Sequence, residues 1–284
     1  MNGSRISAVF ERARSERRAA FIPYLTAGDP SPSATVALAR ELDRAGADIL
    51  ELGVPFSDPI ADGPVLQRSA SRALAGGMTL EQVWRIAEKI RSDTSLALLL
   101  FSYVNPLLRR GLARAAKEAR LAGFDAVLVT DVPPEEGVHV QPIFRAAGLD
   151  TVFLVSPTST AERMMSAAKL SSGFLYVISR RGTTGLRDAL PADLAKTVGR
   201  ARRAADRVRS SSKGAAPLPI AVGFGISTPR TARVAASLAD GVVVGSALVA
   251  AAEEGGIEKA ERLARRLVRA CRPAGPRLGV RTPN

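Results

Sequence analysis

The stretch that decides the fold covers residues 47–64 and reads ADILELGVPFSDPIADGP. Its apolar first part is typical of a short buried strand, and the prolines and glycines after Leu52 prevent that strand from continuing. Glu51 therefore lies at the carboxyl end of a buried strand. Burial raises the pKa of a carboxyl group, which suits proton transfer near neutral pH. Asp62 can fold back over the same place from the loop, so the two carboxylates predict acid–base chemistry.

Strand-like apolar runs alternate with helical patterns along the chain. The predicted strands cover residues 21–26, 48–52, 96–101, 126–130, 151–154, 173–178, 219–222 and 241–244. The predicted helices cover residues 5–17, 33–45, 80–91, 112–122, 135–147, 161–169, 191–208, 229–238 and 247–269. Near-continuous apolar strands favour a parallel sheet. Eight β–α units in 284 residues favour an α/β fold of the (β/α)8 TIM barrel type, with an extra N-terminal helix that caps the bottom.

A single domain accounts for this pattern. We expect the barrel to occupy residues 1–270 and a disordered tail, rich in proline and glycine, to occupy residues 271–284. The segment 209–217 is rich in Ser, Gly, Ala and Pro, and we expect a surface linker there.

The composition narrows the class of protein. No run of 18 apolar residues occurs, so no transmembrane helix is expected, and the arginine-rich N-terminus does not resemble a secretory signal. The single cysteine, Cys271, excludes an internal disulfide. The single histidine, His139, argues against a histidine-based metal site or a Ser-His-Asp triad. We therefore expect a cytoplasmic protein that holds no metal.

The chain is strongly basic, with a net charge of +13. A charge of this size can indicate contact with nucleic acid or with a membrane. However, 34 of the 40 basic residues are arginine, and they are scattered over many predicted helices rather than gathered in one stripe. No base-stacking aromatic residues are interleaved with them. We therefore expect neither a nucleic-acid nor a membrane partner.

In a barrel of this kind the active site lies at the carboxyl ends of the strands. The candidate residues at predicted strand ends, besides Glu51, are Tyr24, Tyr103, Asn105, Asp131 and Tyr176. This set contains all three tyrosines of the chain. Flat amphipathic rings suit an aromatic substrate that also needs hydrogen bonds, so the set predicts a pocket for such a molecule.

Glycine-rich turns follow the last three predicted strands. They read SRRGTTG at 179–185, GFGIS at 223–227 and GSA at 245–247. Phosphate sites in barrels often use the loops after strands 7 and 8 together with a helix N-terminus. Ser246 can add a hydroxyl, so these turns predict a phosphate site. The loop 180–190 is either a mobile lid over that site or an ordinary exposed loop.

The same residues carry a family resemblance. Residues 50–64 resemble the signature of the tryptophan synthase alpha subunit family, LELGxPFSDPxADGP. Further matches to that family are FIPYLTAGDP (21–30), YVNP (103–106), DVP (131–133), GFGIS (223–227) and GSA (245–247). The similarity runs from about Arg5 to Arg269. It implies a barrel that cleaves indole-3-glycerol phosphate into indole and glyceraldehyde 3-phosphate by a retro-aldol reaction, with no metal or organic cofactor.

The resemblance also implies a role for each matching residue. Glu51 would act as both acid and base, and Asp62 would partner the indole nitrogen. The residues that would shape the indole and glycerol pocket are Tyr24, Tyr103 and Tyr176. The residues that would hold the phosphate are Gly185, Gly223, Gly225, Gly245 and Ser246. Thr184 would tie the lid toward Asp62.

A partner is implied as well. The family's beta subunit binds pyridoxal phosphate, receives indole through a tunnel and joins the alpha subunit in an alpha2beta2 heterotetramer. Pro55, Asp58 and the turn near Asn105 match positions that face this partner. The segment 209–217, the tail after Cys271 and the high arginine content are not family features, which leaves the oligomer contacts in question.

Three alternatives stay open at the level of sequence. A relative of indole-3-glycerol phosphate synthase would need a catalytic lysine on an early strand, and none of the six lysines lies at a predicted strand end. A catalytically silent protein that only binds or activates a partner is disfavoured by the intact Glu51 and Asp62. A basic nucleic-acid binder is disfavoured by the scattered charge.

Overall fold

A parallel sheet surrounded by helices forms the framework of the computed structural model, which describes residues 4–178, 191–210, 217–223 and 225–272. The strands are β1 (Ala20–Thr26), β2 (Ile49–Gly53), β3 (Ala97–Ser102), β4 (Ala126–Val129), β5 (Asp150–Thr151), β6 (Phe153–Val155), β7 (Leu175–Ile178), β8 (Ile220–Gly223) and β9 (Gly241–Val244). The helices are α1 (Arg5–Ser15), α2 (Pro32–Ala45), α3 (Pro64–Ala75), α4 (Leu80–Asp93), α5 (Val104–Arg110), α6 (Leu112–Leu121), α7 (Pro134–Ala146), α8 (Ala161–Leu170), α9 (Leu194–Ser210), α10 (Pro229–Leu238) and α11 (Ser246–Ala270).

The sheet closes into a barrel. Its strand order is β5-β4-β3-β2-β1-β9-β8-β7-β6, and every pairing is parallel. Strands β5 and β6 are two parts of one barrel strand, separated by Val152 alone. The first part pairs with β4 and the second with β7, which closes the ring. The predicted (β/α)8 barrel is therefore confirmed, with β7, β8 and β9 as its sixth, seventh and eighth strands.

Two buried apolar clusters hold the framework together. Side chains that alternate along each strand either face the helices, as Leu50 does, or fill the barrel, as Ile49 and Leu99 do. Helix α1 closes the bottom of the barrel with Ile6 and Phe10, which belong to the interior cluster. Burial of each large apolar side chain contributes about 1.5–3 kcal/mol to folding. The predicted N-terminal cap is thus confirmed.

Aspartates lie at the amino ends of several strands, where they bind arginines and the backbone of the neighbouring strand. Asp48 accepts hydrogen bonds from Phe21 N at 2.9 Å and from both Nη atoms of Arg18, at 2.6 and 2.8 Å. Asp125 accepts one from Leu98 N at 2.9 Å and lies against the Arg91 guanidinium. These charges are buried, and their pairing removes the penalty that an isolated buried charge would impose.

Asp240 repeats this arrangement on the other side of the barrel, and Asp150 there binds the side chains of Arg145 and Ser172. Asp240 accepts hydrogen bonds from Ile220 N at 3.0 Å and from Arg202 Nη2 at 2.9 Å. Asp150 accepts one from Arg145 Nη1 at 2.9 Å. The bottom of the barrel therefore carries a ring of paired carboxylates.

Two helices were not predicted. Helix α3 begins at Pro64, directly after Gly63, and the Pro- and Gly-rich sequence before it resembles a longer loop. Three of its four buried residues are small, namely Ser69, Ala70 and Ala73, so the apolar period is weak. Helix α5 has 7 residues, too few to produce a recognisable period. The turn predicted near Asn105 is in fact the first turn of α5.

The last helix ends at the predicted domain boundary, and its C-cap residue, Cys271, lies one residue beyond it. Cys271 is buried, its N–H is bonded to the carbonyls of Leu267 and Val268, and its own carbonyl accepts a hydrogen bond from Ala19 N at 3.1 Å. Cys271 therefore belongs to the folded domain and not to the tail.

In the predicted linker, Arg209 and Ser210 form the end of α9. Residues 211–216 of that linker and 273–284 of the tail lie outside the described residues. None of the helices described is both long and apolar enough to cross a membrane.

Candidate active site

Glu51 lies inside the upper part of the barrel. It is the third residue of β2, which continues to Gly53 rather than ending at Glu51, and it is in register with Tyr24 of β1 and Leu99 of β3. Only 1% of Glu51 is exposed, and among the described residues its Oε1 has no hydrogen-bond partner. Burial raises the pKa of Glu51 well above its ordinary value. Burial therefore favours the neutral form of this group, the form that can donate a proton.

Asp62 is held beside this pocket by the segment between β2 and α3. The Tyr103 hydroxyl donates a hydrogen bond to Asp62 Oδ2 at 3.1 Å and accepts one from Ala61 N at 3.0 Å. Gln67 Nε2 donates to the Asp62 carbonyl at 2.8 Å, which fixes the backbone to the first turn of α3. Burial raises the pKa of Asp62 to about 6, although the Tyr103 hydrogen bond opposes this shift. Asp62 is thus mostly ionised at neutral pH.

Two of the three tyrosines line the interior of the barrel beside the carboxylates. Burial raises the pKa values of the Tyr24 and Tyr176 hydroxyls, and the charges of Asp62 and Glu51 raise them further. The Tyr24 hydroxyl lies 3.3 Å from Thr26 Oγ1. The pKa of the Tyr103 hydroxyl is also raised, first by burial and then by the charge of Asp62. The structure therefore brings all three predicted tyrosines and both predicted carboxylates into one site.

Glycines at two strand ends make room for these phenols. A Cβ atom on Gly53 would lie 2.1 Å from the Tyr24 hydroxyl oxygen. A Cβ atom on Gly223 would lie 2.1 Å from the Tyr176 hydroxyl oxygen. Each glycine thus admits a hydroxyl that any other residue would displace. Sequence analysis missed the part of Gly53 in the site, although its place two residues after Glu51 at the end of β2 was a signal.

The predicted phosphate turns lie at the ends of β8 and β9. Gly225 has a φ of 76°, a left-handed conformation that favours glycine. Gly245 precedes α11, and among the described residues no side chain caps that helix. Leu248 N is bonded to the Gly245 carbonyl at 2.9 Å, so the first N–H groups of the turn, at Ser246 and Ala247, are the ones that suit an anion. Helix α10, by contrast, is capped by the side chains of Thr228 and Thr231. Gly223, Gly225, Gly245 and Ser246 are therefore near the top of the barrel, as predicted.

The lid residues cannot be placed in the same way. Thr184 and Gly185 belong to the segment 179–190, which lies outside the described residues. Their predicted contacts with the phosphate and with Asp62 stay predictions.

The predicted partner-facing positions differ in exposure. Asp58 and Asn105 are exposed, but Pro55 is buried within the chain, so its side chain offers little surface to a partner. Two large apolar side chains in the same segments are far more exposed: Ile60 at 78% and Leu108 at 50%. Sequence analysis missed both because an isolated Ile or Leu in a loop or short helix gives no periodic signal.

Asp131 and the residues assigned no function have structural partners or lie at the surface. Asp131 Oδ1 accepts a hydrogen bond from Val104 N at 2.8 Å, at the start of α5. Trp84 packs on the outside of the barrel against Phe124, and its Nε1 donates to Glu118 at 3.2 Å. His139 is exposed on α7. Among the described residues no cluster of His, Cys, Asp and Glu could hold a metal ion.

Several known proteins are similar to this chain in sequence and in fold. The family model described as Tryptophan synthase alpha chain matches residues 10–274. The tryptophan synthase alpha chain of Solibacter usitatus (strain Ellin6076) is 48% identical over 251 residues, which cover 88% of this chain and 90% of that protein. The alpha chain of Citrifermentans bemidjiense is 46% identical over 246 residues, 87% of this chain and 88% of that protein. A solved structure of Mycobacterium tuberculosis tryptophan synthase in space group F222 matches with 35% identity and a TM-score of 0.85, over 96% of this chain and 100% of that chain.

These matches confirm the resemblance that the motifs predicted. The family model extends over nearly the whole barrel, and its range, residues 10–274, contains Glu51 and Asp62. They also imply indole-3-glycerol phosphate as substrate and a beta subunit as partner. The chain belongs to the tryptophan synthase alpha chain family, the lyases that cleave indole-3-glycerol phosphate by a retro-aldol reaction.

Proposed function

We propose that Glu51 and Asp62 carry out the cleavage of indole-3-glycerol phosphate to indole and glyceraldehyde 3-phosphate in this chain. The observation that carries this proposal is the state of the two carboxyl groups. Both are buried at the carboxyl end of the barrel, both have raised pKa values, and neither is paired with an arginine or lysine among the described residues. Carboxyl groups in this state suit proton transfer near neutral pH.

Glu51 performs both proton transfers. In its neutral form it donates its proton to C3 of the indole ring, which places a positive charge on the ring nitrogen. The resulting carboxylate then takes the proton of the glycerol hydroxyl next to the breaking bond. The hydroxyl becomes the aldehyde carbonyl, the C–C bond electrons return to the ring, and Glu51 ends the cycle protonated. One buried carboxyl group thus serves as acid and then as base.

Asp62 stabilises the charge that develops on the indole nitrogen. Its carboxylate is ionised at neutral pH and is oriented by the Tyr103 hydroxyl. A preoriented negative group in a buried site stabilises developing positive charge without reorganisation of solvent. Tyr24 and Tyr176 complete the walls of the indole and glycerol pocket, and Phe101 packs edge-on against Tyr24 with ring centroids 5.2 Å apart.

The substrate phosphate binds at the start of α11. Helix α11 begins at Ser246 after the N-cap Gly245, no described side chain caps it, and the positive end of the helix dipole favours an anion there. Gly223 and Gly225 border the same place from the end of β8. Thr184 and Gly185 of the lid close over the phosphate and Asp62 in this proposal. The chemistry uses no metal or organic cofactor in this chain.

The partner is a tryptophan synthase beta subunit that holds pyridoxal phosphate, in an alpha2beta2 heterotetramer. The exposed side chains Ile60 and Leu108, together with Asp58 and Asn105, form the surface that contacts it. Exposed apolar side chains beside a catalytic loop support an interface at this end of the barrel. The proposed compartment is the cytoplasm.

Release of indole from indole-3-glycerol phosphate tests the function. The purified chain should release indole and glyceraldehyde 3-phosphate in equal amounts, and addition of a beta subunit should accelerate the release by one or more orders of magnitude. The segment between β2 and α3 carries Asp62 and must be ordered for catalysis. A partner that binds the ordered form raises the population of that form and therefore the rate. Absence of indole both with and without the beta subunit would contradict the proposed function.

A further inference from the structure

Arg72 connects three elements at the top of the barrel. It lies in the last turn of α3, and its Nε and Nη2 donate to the two carboxylate oxygens of Asp29 at 2.8 Å each. Its remaining Nη1 donates to Glu253 of α11 at 2.6 Å. Arg68, one turn earlier in α3, donates to the other oxygen of Glu253 at 3.0 Å. The guanidinium of Arg72 thus joins α3 both to the loop after β1 and to α11.

The helices joined in this way carry two different parts of the proposed site. Helix α3 starts directly after Asp62 and Gly63, and Gln67 in its first turn binds the Asp62 carbonyl at 2.8 Å. Helix α11 starts at Ser246, where the phosphate is proposed to bind, and Glu253 lies about two turns further along. A displacement of one helix is therefore transmitted to the other by the arginines.

Helix α11 is divided just beyond this contact. Gly255 and Gly256 have non-helical backbone angles, and the φ of Gly256 is 66° with a ψ of −164°. Only glycine adopts such a conformation readily. The segment 246–254 is consequently a short rigid body, separated from the rest of the helix, which is anchored by Ala260, Ala264 and Leu267. Leu248 and Val249 pack this first segment into the core, and the break makes its position independent of the helical geometry of the rest of α11.

We propose that Arg72 is a positioning residue that couples phosphate binding at the amino end of α11 to the placement of Asp62. The inference rests on the phosphate site of the proposed function. An anion bound at Gly245 and Ser246 fixes the segment 246–254. Glu253 then holds Arg72, and Arg72 holds α3. Asp62 lies two residues before the start of that helix. The substrate phosphate, which takes no part in the chemistry, thereby helps to orient a group that does.

The size of this coupling follows from the exposure of the network. The side chain of Arg72 is 34% exposed and that of Glu253 is 29% exposed, so each single contact is worth little by itself. Two features fix the orientation of these groups. Arg72 binds Asp29 through two parallel hydrogen bonds, and Glu253 is shared between Arg72 and Arg68. We expect the coupling to reach the lower end of the range measured between sites in proteins, about fivefold.

Hydrogen exchange followed by mass spectrometry tests the proposal with glycerol 3-phosphate as the probe. In the wild-type chain, saturating glycerol 3-phosphate should slow amide exchange both at residues 245–254 and in the segment 53–63. In Arg72→Gln, exchange at 245–254 should slow as before, whereas the slowing at 53–63 should shrink by about fivefold. Glu253→Gln should give the same result as Arg72→Gln. Arg85→Gln removes an exposed ion pair of α4 and serves as the matched control that behaves as wild type.

Each other outcome overturns the inference. Slowing at 53–63 that persists in Arg72→Gln or in Glu253→Gln would show that the coupling takes another route. Slowing at 245–254 alone in the wild-type chain would show that the two segments are not coupled. If glycerol 3-phosphate changes exchange at neither segment, the phosphate site itself is wrong, which separates failure of the proposed function from failure of the coupling. A fall in kcat for Arg72→Gln, with the affinity for glycerol 3-phosphate lowered by no more than about fivefold, would accompany the expected result.

Discussion

The two ends of the barrel bury carboxylates under opposite conditions. At the amino ends of the strands, Asp48 and Asp125 each accept hydrogen bonds from an arginine and from a backbone N–H of the neighbouring strand. At the carboxyl ends, Glu51 and Asp62 have no arginine or lysine partner among the described residues, and their pKa values are raised by burial. The first arrangement pairs the carboxylates with arginines and stabilises the fold. The second leaves them able to exchange protons, at a cost in stability.

Glu51→Gln should have the largest effect and should affect activity alone. The amide cannot give or take the proton that both steps require, so kcat should fall by about 10²- to 10⁴-fold. The melting temperature should stay the same or rise, because the substitution removes a buried acid whose Oε1 has no hydrogen-bond partner among the described residues. Indole release and thermal unfolding measured on the same preparation check this. Retention of more than about a tenth of the activity would remove Glu51 from its assigned role.

Asp48→Asn should show the reverse behaviour at the other end of the barrel. Loss of the carboxylate leaves Arg18 without its main ionic partner, and breaking a buried pair in this way costs about 3 kcal/mol of unfolding free energy. Turnover per folded molecule should change less than about twofold, since Asp48 lies at the end of the strands away from the site. Urea unfolding together with indole release tests both statements.

A surface carboxylate provides the control for Asp48. Asp93 binds Arg40 and Lys89 on the outside of the barrel, where solvent screens the pairs. Asp93→Asn should therefore change the urea midpoint much less than Asp48→Asn. Equal shifts in the two variants would mean that the buried ring of carboxylates has no special part in stability.

The smallest effect concerns Tyr103 and the pH dependence of turnover. Asp62 must be ionised, so kcat should fall below an apparent pKa of about 6. Because the Tyr103 hydroxyl stabilises the ionised form, its loss in Tyr103→Phe raises the pKa of Asp62 and should move the acid limb to higher pH. The loss of activity should thus be greater at pH 6 than at pH 8. A uniform loss across the pH range would assign Tyr103 a packing role only.

Sequence patterns predicted those parts of the molecule that depend on neighbouring residues in the chain. The apolar run that contains Glu51 and the breakers after it located both a strand and an acid. The contact of Tyr103 with Asp62 joins residues 41 positions apart, and no local pattern encodes it. The same holds for the fit of the Tyr24 hydroxyl over Gly53, which depends on the register of β1 and β2.

The ring of paired aspartates was present in the sequence but was not recognised. A Gly-x-Asp sequence precedes three strands, at 46–48, 123–125 and 148–150. In each case the glycine has a positive φ and ends a helix, and the aspartate follows at the strand entrance. The glycines by themselves indicate only where helices stop. A carboxylate repeated at the same place in several β–α units was the available signal for a structural role.

The protonation state of Glu51 is the most direct test of the account. Infrared difference spectra between the wild-type chain and Glu51→Gln, recorded at pH 7, report whether the lost group was a neutral acid or a carboxylate. Asp48→Asn serves as the reference for an ionised carboxylate. The account predicts that Glu51→Gln removes a carbonyl band of a neutral carboxylic acid, whereas Asp48→Asn removes carboxylate bands. Loss of carboxylate bands in both variants would contradict it, since Glu51 would then be ionised in the resting molecule and unable to donate the first proton.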